Sequence, residues 1–159
     1  MLTTAQRKRR PKPNKRAFAF DRDGEAFSPP DVPVLSGLSD RNSRLYYDVG
    51  VVRASVRDSG PGVPRLFNFG DIFAAWLTNG LRELGAGWDS LRAAGNLFYS
   101  QGFSPAKPFM VVEPTDARLV SQAEADRLLR GPAPIMIVNL IAAAKKLRAE
   151  VDAQLAKRK

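Results

Sequence analysis

The sequence predicts an α+β fold: a small single domain with about four helices and a small sheet, preceded by a disordered basic arm and a proline-rich strap. Three observations lead there. Basic residues gather at the two ends of the chain. Apolar residues recur at three-four spacing in several stretches of the middle and C-terminal parts. Short β-branched and aromatic runs bounded by turn residues stand among them. With 159 residues and 44% hydrophobic content, the chain is long enough to bury one core. The expected divisions are a disordered basic arm at residues 1–16, a proline-containing extended strap at 17–43, and an α+β body at 44–159 that ends in a long helix.

The arm contains RKRRPKPNKR, residues 7–16, which places seven Lys or Arg and no acid in ten positions. High charge, two prolines and little apolar content leave nothing to drive folding. Net charge is +9, of which residues 7–16 supply +7 and residues 145–159 supply +4, so nine less seven less four leaves −2 for the remainder. The chain therefore reads as an ordinary domain with cationic extensions. In the strap, Pro29, Pro30 and Pro33 favour an extended path, with Phe18, Phe20, Phe27 and Leu35 pinning it to the body.

Residues 44–56, RLYYDVGVVRASV, make the best strand candidate, followed by a turn at DSGPGVP. Asp71 is placed to cap a helix carrying Phe73, Trp76, Leu77, Leu81 and Leu84 on one stripe, stopped by Gly85 and Gly87. Asp89 is placed to cap a second helix, with Leu91, Ala94, Leu97 and Phe98 inward. Strands are expected at 109–112 and 117–120. Ser121 followed by Glu124 spells a capping box for a short helix that Gly131 and Pro132 end. The last helix is expected to start near Pro134 and run toward Leu155, its inner stripe comprising Ile137, Leu140, Ile141, Ala144, Leu147, Val151 and Leu155. Its apolar N-terminal half suits either a core helix or a subunit contact.

The chain has no histidine and no cysteine. Ser-His and Cys-His constellations, disulfides and ordinary zinc sites are thereby excluded. No catalytic, metal-binding or cofactor-binding residue is assigned, and the protein is expected not to be an enzyme. The apolar run at 133–144 falls short of the ~20 residues a bilayer span takes, so no membrane span is expected. No apolar region follows the basic segment as in a secretory signal, so a virion or an intracellular location, cytoplasm or nucleus, is expected.

One stretch carries a different implication. AFAFDRDGEAF, residues 17–27, resembles the first motif of haloacid-dehalogenase-like phosphatases, in which an apolar strand delivers an aspartate nucleophile and, two residues on, an aspartate acid. The resemblance implies Asp21 as nucleophile and Asp23 as acid, with magnesium at the phosphoryl group. It covers eleven residues. Glu25 stands where that family usually places Thr, Ser36 is close for a second-motif serine, and Lys107 alone suits the middle lysine.

Bases spaced along a flexible segment match a polyanion, since each neutralised phosphate releases a condensed counterion and no fixed geometry is needed. The expected partner is the phosphate backbone of DNA or RNA, contacted without sequence preference by Arg7, Lys8, Arg9, Arg10, Lys12, Lys15 and Arg16. A basic arm, a proline strap and a body without catalytic equipment resemble in organisation a self-assembling viral or phage coat protein or nucleoprotein, or a ribonucleoprotein component. A homo-oligomer or larger assembly follows from that plan. The alternatives are an adaptor whose arm is an import or docking signal, and the magnesium-dependent phosphatase.

Overall fold

A computed structural model describes residues 20–58, 60–102 and 104–159. Among them, six helices and a three-stranded antiparallel sheet form an α+β domain. The order is α1 (Asp31–Ser36), α2 (Asp40–Asp48), α3 (Phe69–Glu83), α4 (Trp88–Gln101), β1 (Phe109–Val112), β2 (Ala117–Val120), α5 (Gln122–Leu129), β3 (Met136–Asn139) and α6 (Leu140–Ala156). The arm expected at 1–16 and the start of the strap, with Phe18, lie outside the described residues.

The strap differs from expectation because it folds locally. Asp31 accepts hydrogen bonds from the Ser28 backbone N–H (2.8 Å) and hydroxyl (2.7 Å), which closes a turn ahead of α1. Pro33 falls in the first turn, where its missing N–H costs nothing. Gly37, at φ +79°, takes the left-handed position after the last turn, and its N–H donates to the Pro33 carbonyl. Val32 and Leu35 are buried, and α1 packs on α3. The anchoring role expected of Phe27 and Leu35 holds, for both are buried in the main core and Phe20 packs against it.

No strand forms at 44–56. The Ser39 side chain accepts from the Asn42 N–H and starts α2, which runs through Tyr46 and Tyr47. Adjacent side chains lie about 100° apart on a helix, so both tyrosines turn inward, at 0% and 8% exposure, whereas a strand would send them to opposite faces. A local cap and tertiary burial override the β preference of the aromatic and branched residues. Beyond Gly50 the chain continues without regular structure, yet Val51, Val52 and Ala54 are buried. Gly95 of α4 sits against this segment, where a Cβ would lie 2.9 Å from the Val51 carbonyl oxygen.

Helix α3 is the core helix, with Phe69, Ile72, Phe73, Ala75 and Leu81 at 1% exposure or less. Its cap is Asn68, three residues before the expected one. The Asn68 side chain accepts from the Asp71 N–H, and Asp71 accepts from the Asn68 N–H. Asp71 is thus the third residue of a capping box. Leu84 ends outside the stripe, 71% exposed. Gly87, not Asp89, caps α4, with Asp89 in the first turn where a negative charge suits the helix dipole.

Strand β1 is central, pairing Phe109↔Val120 through Val112↔Ala117 on one side and Phe109↔Asn139 through Val112↔Met136 on the other. Alternation sends Met110 and Val112 into the main core, while Val111 joins Val120 and Ala125 under α5. β1, β2 and the Ser121 cap of α5 lie where expected. β3 was not expected: residues 136–139 are strand, and the long helix begins at Leu140 because Asn139 accepts from the Ala142 N–H at 3.0 Å. Its buried stripe is Leu140, Ala144, Leu147 and Val151, with Leu155 partly buried. Among the described residues no helix is long and apolar enough to cross a membrane.

Candidate nucleic-acid interface

Arg7, Lys8, Arg9, Arg10, Lys12, Lys15 and Arg16 lie outside the described residues. What the structure describes is the segment from which they extend. That segment is fastened to the domain over a dozen residues, mainly by charge.

Asp21 comes first. Its carboxylate accepts from the Gly70 N–H (2.8 Å) and from the Asn68 side-chain amide (3.2 Å), which places it at the N-terminus of α3, where unpaired N–H groups and the helix dipole favour an anion. Arg22 then makes a two-pronged hydrogen-bonded pair with Asp152 of α6, both distances 2.9 Å. Asp152 also meets Arg148 one turn earlier, at 3.0 Å. Arg148 in turn gives both terminal nitrogens to Glu25, each at 2.6 Å, and its guanidinium lies 4.8 Å from the centre of the Phe69 ring. Farther along, Asp31 pairs with Arg158 at 2.6 Å. Residues 22, 25 and 31 are therefore each tied to the last half of α6 or just beyond it.

Burial ranks these contacts. The side chains of Arg148 and Glu25 are 9% and 16% exposed, so losing one partner strands a nearly buried charge and costs roughly 3–5 kcal/mol. Arg22 and Asp152 are 57% and 39% exposed, and such a pair contributes about 0.5 kcal/mol. The hydrogen bonds to Glu25 raise the Arg148 pKa above its usual value. The bond from Arg22 holds Asp152 below the usual carboxylate range. Burial works against ionised Asp31, but its bonds from Arg158 and Ser28 outweigh it and leave its pKa lowered. All three shifts favour the charged, paired state at neutral pH.

A second polar cluster lies behind the first turn of α3. Asp71, 0% exposed, accepts from the Ser55 hydroxyl (2.6 Å), the Tyr99 hydroxyl (2.8 Å), the Ser55 N–H (2.8 Å) and the Asn68 N–H (3.0 Å). The Tyr99 oxygen accepts from the Arg53 N–H, and the Arg53 guanidinium lies 4.5 Å from the Tyr99 ring centre. Burial pushes the Asp71 pKa up to about 6 against the pull of those donors. This cluster joins residues 53–55 to α3 and α4.

Two of the groups implied by the phosphatase resemblance are engaged with the backbone. Asp21 accepts from the Gly70 N–H in the first turn of α3, and the Ser36 hydroxyl donates to the Val32 carbonyl at 2.6 Å. Asp23 is exposed, and so is Lys107.

Sequence reasoning missed Arg22, Glu25, Arg148, Asp152 and Arg158 as anchors. Their partners lie 123 to 130 residues away, so no local spacing reveals them. The available signal was a charged residue within an otherwise apolar helix stripe, which Arg148, next to Leu147, supplies. No protein-family model matches the chain, and no curated protein sequence matches it.

Proposed function

We propose that this chain is a non-catalytic structural protein that binds nucleic acid through its arm and assembles with copies of itself, as coat proteins and nucleoproteins do. The observation that carries the reading is the separation of charge: residues 7–16 hold +7 of the net +9 with no acid among them. An arm that pulls on a polyanion needs a fixed root, and Glu25 with Arg148 and Arg22 with Asp152 supply one. The pairing of Glu25, Asp31 and Asp152 with arginines also lowers their capacity to attract the arm themselves. The backbone engagements of Asp21 and Ser36 favour a structural over a catalytic use of those groups.

The sheet offers a surface for assembly. Among the described residues β3 is an outer strand of sequence MIVN, without charge or proline, and an outer strand of that kind presents backbone groups to a further strand. β2, the other outer strand, carries Arg118.

Removing residues 1–16 tests the function. Full-length and shortened protein are titrated with a labelled single strand, while the absorbance ratio at 260 and 280 nm and the particle mass are read for each as purified. The proposal expects nucleic acid and multi-chain particles with the full chain, and most strand binding lost with the shortened one. Equal affinities of the two forms refute it. An import or docking signal would instead leave the full chain free of salt-dependent strand binding.

A further inference from the structure

A cavity of about 490 Å³ opens between the turn at 29–32, the first turns of α2 and the segment at 65–67. Its floor is apolar, made by Pro29, Val32 and Phe67, and its wall carries Arg44, Arg65 and Asp40. The volume is that of a small-ligand pocket, and half of its lining residues are polar or charged.

The two arginines are available there. Among the described residues neither makes a side-chain hydrogen bond or ion pair. Arg65 is nonetheless held in place. Its guanidinium carbon lies 3.9 Å from the centre of the Tyr47 ring, Tyr47 is 8% exposed, its hydroxyl donates to Asp58, and its ring meets Phe67 edge-on at 6.3 Å. Tyr47 does not line the cavity and Arg65 does, so the side chain that borders the opening is the one packed on the buried ring. A preorganised guanidinium plane over a buried tyrosine is a stacking platform for a flat ring. Arg44, on the exposed side of α2, adds a fork-shaped donor for an anion.

We infer that this cavity takes one nucleotide of a bound single strand, its base stacked on Arg65 and its phosphate paired with Arg44. The inference rests on the nucleic-acid reading above and adds to the arm a fixed contact on the body. Asp40 sharpens the ligand class. Its carboxylate accepts from a ribose hydroxyl or an exocyclic amine, groups that a nucleotide offers and inorganic phosphate lacks.

The test uses the full chain with two probes, adenosine 5′-monophosphate and inorganic phosphate. Arg65→Lys keeps the charge and removes the plane. Arg44→Gln removes the anion partner at an exposed position. A third variant exchanges the seven arm bases for glutamine. Wild type is expected to bind the mononucleotide more tightly than phosphate. Arg65→Lys and Arg44→Gln each weaken mononucleotide binding roughly tenfold, the scale of one lost stacked base or one lost phosphate pair. The arm variant keeps mononucleotide affinity within about twofold. Phosphate binding as tightly as the mononucleotide overturns the inference, as does an unchanged affinity in Arg65→Lys or a loss in the arm variant. A labelled single strand separates the two readings. Salt-dependent strand binding without mononucleotide binding defeats the cavity alone. Mononucleotide binding without strand binding defeats the nucleic-acid reading and, with it, the placement of a strand here.

Discussion

Asp71 bears on the fold more than any other single charged residue, because four donors from three separated segments converge on it. Its pKa in the folded protein, about 6, lies above the ordinary value of 3.8, so folding takes up a proton between those two values. The contribution is complete below pH 3.8, shrinks as pH rises through about 6, and stays at its lower level above. A shift of that size corresponds to about 3 kcal/mol. Urea unfolding at pH 4 and pH 7 is therefore expected to show a drop in wild type that Asp71→Asn lacks; parallel curves for the two proteins would contradict this. Glu25 gives a second prediction at the same scale. Glu25→Gln leaves Arg148 nearly buried and short of its main counter-charge, costing roughly 3–5 kcal/mol, and it should raise hydrogen exchange over residues 20–31 before the rest of the domain. Uniform exchange along the chain would argue against a charge-fastened root. The sequence placed Asp71 correctly at the start of a helix. It gave no sign of Ser55 and Tyr99 as partners, because they meet it only through tertiary packing 16 and 28 residues away.

Elements with their own start and stop signals were legible, and those whose pattern fits two periods were not. Ser121 capped α5 as read, and strands β1 and β2 fell at their expected residues, since turn residues isolate them. Residues 44–56 carried strong β formers, yet the cap at Ser39 and the joint burial of Tyr46 and Tyr47 made their first part helix. Conversely, residues 136–139 continued the apolar run of α6 and read as its first turn. Pairing with β1 and the Asn139 cap separate the two. The close approach of α4 to Val51 is equally invisible from sequence. It predicts that Gly95→Ala destabilises, although alanine normally favours a helix interior by about 1 kcal/mol. The methyl group must displace a backbone carbonyl 2.9 Å away, which places the net loss at about 1–3 kcal/mol by thermal or chemical unfolding. A stabilised variant would contradict the packing described.

For the molecule as a whole, charge is divided unevenly. Of the net +9, residues 7–16 hold +7, so nine less seven leaves +2 for all the rest, where Arg22, Arg148 and Arg158 are spent on fastening residues 22–31 to α6. On the function proposed above, such a layout would make polyanion attraction a property of the arm and leave the domain to pair with copies. The sequence made this division legible because charge adds along a chain without regard to fold, whereas the root and the Arg65 cavity depend on contacts across it. The salt dependence of single-strand affinity tests the claim most directly. With seven bases each releasing about 0.7 counterion per phosphate, the logarithm of affinity should fall against the logarithm of salt concentration with a slope approaching −5 in the full chain. The same measurement on the chain with its seven arm bases changed to glutamine should give a slope no steeper than about −1, the share of the one phosphate placed on Arg44, and an unchanged slope would place the binding on the body and contradict the account.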